Sequence, residues 1–155
     1  MSRLLITPRH LFSMERHAMA TYPEECCGIL IGRPLPEEEG AQVERLLSAQ
    51  NVREEESRHN RFLIEPRTIL AAQREAEAAG LEIVGYYHSH PDHPPEPSTF
   101  DREHAWPGIS YVILSVLNGA VEVTRSWRLQ DDREDFQEET IDTAIGTPAL
   151  AFGAR

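Results

Sequence analysis

Two histidines separated by one residue, His88 and His90, stand near the end of an apolar segment and are followed by Ser98 and Asp101. Alternate residues of a strand project from the same face, so we expect the two imidazoles side by side. A loop that returned Asp101 to them would complete a set of two imidazoles and one carboxylate. Such sets bind zinc, and three protein ligands leave a fourth position for water. The spacing therefore predicts an open, catalytic type of metal site.

The same residues allow simpler interpretations. A His-x-His pair alone is weak evidence for two metal ligands, since histidine has many structural roles. Ser98 and Asp101 also fit a helix capping box, with Ser98 as N-cap and Asp101 at the third position. This interpretation leaves the histidine pair unexplained. Both can hold together, because a helix that begins at Ser98 would fix Asp101 in its first turn.

Strands and helices alternate along the chain. Helical spacing of apolar residues predicts one helix over residues 8–21 and another from Pro66 to Gly80. Residues 91–98 contain four prolines and are expected to form a stiff, extended loop. Apolar or alternating segments predict strands at Leu4–Ile6, Cys26–Ile31, Val43–Ala49, Arg61–Ile64, Leu81–Tyr87, Tyr111–Leu117 and Val121–Trp127. This order predicts the α/β class, a single domain in which a mixed β-sheet is flanked by helices.

Composition and charge exclude several classes of protein. The length of 155 residues is that of about one domain, and a hydrophobic fraction of 40% is enough for a core. The formal net charge of −11 opposes binding to nucleic acid and to anionic lipid. No apolar run approaches the roughly 20 residues of a membrane-spanning helix. We therefore expect neither a nucleic-acid partner nor a membrane partner.

The two ends of the chain and its cysteines complete the outline. Residues 131–142 hold seven acidic residues and one arginine, so we expect a domain over residues 1–130 and an acidic, flexible tail over residues 131–155. The N-terminus has no apolar segment of the length that a signal peptide needs. The adjacent Cys26 and Cys27 are typical of buried thiols in a reducing compartment. These features predict a cytoplasmic protein.

The metal-site pattern resembles that of a known family. His88-x-His90, seven residues, Ser98, two residues and Asp101 match without a gap the His-x-His-x7-Ser-x2-Asp signature of the JAMM (MPN+) zinc metalloproteases. That family also has a glutamate before a small and apolar run that ends in glycine, here Glu24-Glu25-Cys26-Cys27-Gly28-Ile29-Leu30-Ile31-Gly32. Alignment on the two glycines places Glu25 at the catalytic position. The resemblance extends over roughly residues 3 to 128.

The resemblance implies a role for each of these residues. His88, His90 and Asp101 would be the zinc ligands, and the cofactor would be Zn2+. Glu25 would be the general base that activates a zinc-bound water and later protonates the leaving amine. Ser98 would help to stabilise the oxyanion. The fold implied is the MPN/JAMM fold, with a layout similar to that of cytidine deaminases.

The resemblance also implies an activity and a partner. Short, single-domain members hydrolyse the peptide or isopeptide bond that follows the Gly-Gly tail of a ubiquitin-like or sulfur-carrier protein. The short link from Asp101 to Ile109 has no room for the long insertion that grips a distal ubiquitin in eukaryotic deubiquitinases. An extended tail is expected to pair along a sheet edge. His93 and His104 are candidates to assist the site, although exposed positions would explain both.

Two rival classes follow from the same features. A non-catalytic MPN-type interaction module would bind partners without metal, but such modules typically lack the ligands that are all present here. A zinc deaminase would pair His-x-Glu with Pro-Cys-x-x-Cys, and this chain has no Cys-x-x-Cys. The zinc metallopeptidase is therefore the preferred hypothesis.

Overall fold

The computed structural model describes residues 2–36 and 39–143, and within them it contains seven strands and three α-helices. The strands are β1 (Arg3–Leu5), β2 (Cys27–Pro34), β3 (Gly40–Ala49), β4 (Glu82–Pro91), β5 (Ser110–Leu117), β6 (Ala120–Leu129) and β7 (Phe136–Asp142). The helices are α1 (Pro8–Thr21), α2 (Pro66–Ala78) and α3 (Thr99–His104), and a short 3-10 turn lies at Glu55–Ser57.

The seven strands close into a barrel in the order β1-β3-β2-β4-β5-β6-β7, and β1 pairs with both β3 and β7. Three pairings are parallel, β1 with β3, β1 with β7 and β4 with β5, while the others are antiparallel. The prediction of a mixed sheet with helices is therefore confirmed. Closure was not predicted, and it does not extend along the whole length of the strands. Among the described residues, β1 pairs with β3 only at Gly40–Gln42, and β7 pairs with β6 only at Ser126–Leu129, so the remainder of β3 and of β6 has a partner strand on one side only. The expected pairing of a substrate tail along a sheet edge therefore stays a prediction.

Two helices cover opposite faces of the central strands. α1 begins where Thr7 accepts a hydrogen bond from the His10 amide (3.1 Å) and Pro8 starts the first turn, as the sequence predicts. It buries Met14 and Ala18 against one face, in the cluster that contains Cys26. α2 packs Ala72 and Ala76 against the other face, in the cluster that contains Cys27. The two cysteines therefore point to opposite faces.

The length and the composition of the helices show whether one of them could cross a membrane. Among the described residues, none of the helices combines the length and the apolar character that crossing a bilayer requires. The longest of them, α1, has 14 residues.

The strand predicted at Arg61–Ile64 is absent, because a side chain takes the place of its neighbouring strand. Asn51 Nδ2 donates to the Arg61 carbonyl (3.0 Å), and Asn51 Oδ1 accepts from the Leu63 amide (3.1 Å). Only one ladder-like bond remains, from the Val52 amide to the Leu63 carbonyl (2.9 Å). The segment is thus extended but is held by Asn51 rather than by a sheet.

The expectation of a flexible tail from residue 131 is corrected by β7. This strand pairs with β6 and β1, and it places Glu139 in the interior, where the carboxylate accepts hydrogen bonds from Ser2 Oγ (2.5 Å) and Ser126 Oγ (2.7 Å). Arg128 lies beside it, with Nε 3.4 Å from Glu139 Oε1. The contacts of the buried Glu139 carboxylate therefore hold this acidic segment in the fold. Residues 144–155 of the expected tail lie outside the described part of the chain.

This buried pair leads to a prediction about stability. Replacing Arg128 by Ala should lower the free energy of unfolding by about 3–5 kcal/mol, because Glu139 would be left as a buried charge without its counter-ion. Arg125 and Glu138 form an exposed pair at 3.5 Å on the same two strands, so Arg125→Ala should cost less than about 1 kcal/mol. Denaturant unfolding of both variants measures the difference. Equal losses would contradict a structural role for Arg128.

Candidate metal centre

The structure brings the three predicted ligands together. His88 and His90 project from the same face of β4, and their Nε2 atoms lie 3.1 Å apart. Asp101 approaches both rings, with Oδ1 3.3 Å from His88 Nε2 and Oδ2 3.1 Å from His90 Nε2. One ligand atom from each of the three residues lies within 4.8 Å of the others. The cluster is formed by side chains that are all largely buried.

Neighbouring groups orient both imidazoles. β4 is fixed between β2 and β5, and the His88 ring stacks on Phe62 with the ring centroids 4.6 Å apart. His90 Nδ1 lies 2.8 Å from the Pro94 carbonyl oxygen. Because a carbonyl oxygen only accepts, Nδ1 carries a hydrogen, and the neutral ring then presents the Nε2 lone pair to the cluster. The proline-containing loop therefore sets the tautomer of His90.

The first turn of α3 positions Asp101. Ser98 Oγ accepts from the Asp101 amide (3.0 Å), while Asp101 Oδ2 accepts from the Ser98 amide (2.9 Å), which completes a capping box. The capping interpretation and the metal-site interpretation therefore hold together, since one carboxylate caps the helix and faces the two histidines. Ser98 itself is exposed.

Glu25 lies two residues before the start of β2 and is buried, with 4% of its surface exposed. Its amide donates to the Arg58 carbonyl (2.7 Å), and its carbonyl accepts from Asn51 Nδ2 (3.0 Å). Within the described part of the chain, Glu25 Oε1 has no hydrogen-bond partner. Burial raises the pKa of the Glu25 carboxyl to about 8, with His88 opposing the increase and Asp101 adding to it.

The charges within the cluster stabilise one another. Burial by itself would raise the pKa of Asp101, but the charges and hydrogen bonds of His88 and His90 outweigh it and hold that pKa well below its usual value. For His88, burial lowers the pKa, yet the Asp101 carboxylate and then Glu25 raise it above its usual value overall. The carboxylate is therefore ionised at neutral pH, as a metal ligand must be.

This donor set fits a zinc ion. Two imidazole nitrogens and an ionised carboxylate oxygen converge, and the His90 tautomer directs a lone pair inward. The buried Glu25 Oε1, which has no partner among the described residues, lies on a group close enough to interact electrostatically with His88 and Asp101. Nitrogen and oxygen donors of this type suit zinc better than calcium or magnesium, which prefer oxygen alone.

The remaining candidate residues take other positions. His104 Nδ1 donates to the Phe100 carbonyl (2.9 Å), and its ring stacks on Phe100 at 4.1 Å. His93 is exposed. Burial raises the pKa of Cys26 to about 11 and that of Cys27 to about 12, so neither thiol is a nucleophile at neutral pH.

A cavity of about 290 Å³ opens beside His88 and Asp101. Most of its surface is apolar, and it lies on the face of β4 that α2 covers. Its wall is formed by residues from β4, α3 and the segments around them, among them Arg53, Phe62, Ile69, Tyr86, Phe100, His104, Trp106 and Tyr111. A substrate bound in the cavity would therefore meet the ligand cluster directly.

Three residues of this centre were not expected from the sequence. Phe62 contacts His88 from a segment that is distant along the chain, and Pro94 acts through its carbonyl oxygen, which any residue would supply. Asn51 links Glu25 to the segment that carries Phe62. An asparagine between two predicted strands was the one available signal, since its side chain commonly bonds to backbone in loops.

Comparison with known proteins finds curated relatives and solved structures that are similar to this chain. A desampylase from Haloferax volcanii is 36% identical over 94 residues, which is 60% of this chain and 63% of that protein. A probable TtuB-protein conjugate cleaving protease from Thermus thermophilus is 33% identical over 112 residues, 72% of this chain and 70% of that protein. The solution structure of a protein from Desulfitobacterium hafniense superposes with a TM-score of 0.74, at 31% identity and with 91% of each chain covered.

A family model matches most of the chain. Residues 7–130, which include the predicted ligands, match Prok-JAB, described as prokaryotic homologs of the JAB domain. The chain therefore belongs to the Prok-JAB family.

Proposed function

We propose that the chain is a zinc-dependent peptidase that hydrolyses the peptide or isopeptide bond following the Gly-Gly tail of a ubiquitin-like or sulfur-carrier protein. The observation that carries the proposal is the convergence of His88, His90 and Asp101 next to the buried Glu25. The names of two relatives, a desampylase and a TtuB-protein conjugate cleaving protease, describe proteins that act on protein conjugates.

Zinc would be held by His88 Nε2, His90 Nε2 and one oxygen of Asp101. When bound, it lowers the pKa of water to about 7 and polarises a carbonyl group. The protein's own contribution here is orientation, because Phe62, the Pro94 carbonyl and the α3 capping box each fix one of the ligands.

Glu25 is proposed to move the proton. Its carboxylate is shielded from bulk water, and Oε1 has no competing hydrogen bond among the described residues. A carboxylate in this position accepts the proton of the attacking water and returns it to the leaving amine.

Ser98 is proposed to hold the oxygen of the tetrahedral intermediate. Its Oγ already accepts the Asp101 amide, which leaves the hydroxyl hydrogen available to donate. A positioned hydroxyl donor stabilises the negative charge that develops on a carbonyl oxygen. The same capping bond fixes the direction of the hydroxyl oxygen, so Ser98 and Asp101 are oriented as a unit.

The shape of the site favours a substrate with a narrow tail. Only residues 105–109 connect α3 to β5, so this side of the site carries no large insertion. We propose that the end of the tail lies in the cavity beside His88 and Asp101, where its carbonyl group meets the ligand cluster. Glycine residues would pass such a site with least steric conflict.

The substrate proposal predicts a strong dependence on the glycine tail. With the zinc-loaded protein, changing the terminal Gly-Gly of a carrier fusion to Ala-Ala should reduce kcat/KM by about 10²-fold, since two added methyl groups misplace the carbonyl relative to the cluster. The measurement is a kinetic comparison of the two fusions at fixed zinc and pH.

Two other outcomes would each favour a different function. Equal rates on the two fusions would indicate a general peptidase without preference for a ubiquitin-like tail. Tight binding of the Gly-Gly fusion without any cleavage would favour a non-catalytic interaction module.

A further inference from the structure

Arginine side chains lie on the aromatic residues of the cavity beside the candidate metal centre. Two arginines lie on the same aromatic wall, with Cζ of Arg53 and Arg61 at 5.2 and 4.9 Å from the Phe100 ring centroid. A third, Arg133, lies 5.6 Å from the ring centroid of Trp106, which also lines the cavity. Three guanidinium groups therefore contact two aromatic residues of the cavity wall, and of the three arginines only Arg53 itself lines the cavity.

These contacts leave hydrogen-bond donors available. A guanidinium over an aromatic ring uses its face, while its N–H groups point outward in the plane and can still bind a carboxylate in bidentate fashion. Arg61 and Arg133 form no ion pair with any of the residues described, although Arg133 Nη2 donates to the Ala105 carbonyl (2.9 Å). Arg53 differs, because Glu54 Oε2 lies 3.5 Å from its Nε.

The aromatic groups beside these arginines are themselves accessible. Trp106 has 68% of its surface exposed, which is unusual for a large aromatic side chain in a folded domain. Tryptophan and arginine are enriched where proteins contact their partners. Guanidinium groups that form no ion pair with the described residues, placed on exposed aromatic side chains, can bind a partner that presents carboxylates.

Building on the function proposed above, we propose that Arg61 and Arg133, placed on Phe100 and Trp106, bind carboxylates of the ubiquitin-like or carrier protein close to its Gly-Gly tail. The preferred substrate is then a carrier whose tail region is acidic. The carboxylates belong to the carrier rather than to the protein released from it, because specificity for the carrier must be the same for every conjugate that it forms.

Two fluorescent peptides test this docking site. Both end in Gly-Gly joined to an aminocoumarin, and the four residues before Gly-Gly include two glutamates in one peptide and two glutamines in the other. The wild-type chain loaded with zinc should bind the glutamate peptide about fivefold more tightly, the effect of two partly exposed ion pairs. Raising the salt concentration from about 0.05 to about 0.5 M should remove this preference.

Variants of the arginines test which residues cause the preference for the glutamate peptide. Arg61→Gln combined with Arg133→Gln should abolish the preference for glutamate, while Arg74→Gln, an exposed arginine on α2 outside the cavity wall, should retain it. The single variant Arg61→Gln, which should reduce the preference about twofold, serves if the double variant folds poorly.

Binding by fluorescence anisotropy and hydrolysis are measured separately, so that the two proposals can fail independently. Equal affinity of the wild-type chain for both peptides, or an unchanged preference in the double variant, would overturn the docking site. A preference in binding without hydrolysis of either peptide would support the docking site and contradict the proposed hydrolase.

Discussion

Replacing Glu25 by Gln is expected to leave zinc content unchanged while kcat on a Gly-Gly fusion falls by about 10²–10⁴-fold. The amide has nearly the same shape as the carboxylate but cannot accept a proton from the attacking water. Glu25 is not among the three clustered ligands, so the metal should stay bound. Elemental analysis and steady-state kinetics on the same preparation measure the two quantities together.

The matched control is the neighbouring glutamate. Glu24 is less buried than Glu25, and its amide donates to the Thr21 carbonyl at the end of α1 (2.9 Å). Glu24→Gln should therefore change kcat by less than about twofold, as expected for a surface substitution away from the chemistry. If the two variants exchange phenotypes, the alignment that assigns the catalytic position is displaced by one residue.

The second large effect concerns the metal. The double variant His88→Ala with Asp101→Asn should lose nearly all zinc, because it removes one imidazole nitrogen and one charged oxygen from a set of three ligands. Asparagine retains an oxygen that can accept from the Ser98 amide, so the start of α3 should be preserved. The measurement is zinc content per chain after dialysis against a weak chelator.

Two exposed histidines provide the control for that experiment. His93→Ala with His104→Ala removes the same number of candidate ligands, yet neither residue belongs to the cluster, so about one zinc per chain should remain. Full occupancy in the His88/Asp101 variant would show that the ion is bound elsewhere and would remove the basis of the proposed mechanism.

Much of the candidate site could be predicted because it depends on local geometry. Alternation along a strand is enough to bring His88 and His90 to one face, and a capping box is enough to fix Asp101 in a first turn. The helix over residues 8–21 is confirmed for the same reason, since Thr7 and Pro8 define its start within a few residues.

What could not be predicted depends on contacts between distant parts of the chain. The sequence of β7 is typical of a charged, flexible tail. The contacts of the buried Glu139 with Ser2, Ser126 and Arg128 hold this segment in the sheet. The segment with Phe62 has the composition of a strand, but Asn51 satisfies its backbone groups. In both cases the structure depends on the hydrogen bonds of a polar side chain. Such bonds cannot be predicted from the periodicity of hydrophobic residues.

The most direct test of the central claim is the cleavage of a Gly-Gly carrier fusion by one preparation in three states: as purified with zinc, after removal of the metal, and after zinc is added back. We predict about one zinc per chain in the first and third states, with cleavage lost on removal and restored on addition. Undiminished cleavage by the metal-free protein would contradict the account, as would a zinc-loaded protein that leaves the fusion intact.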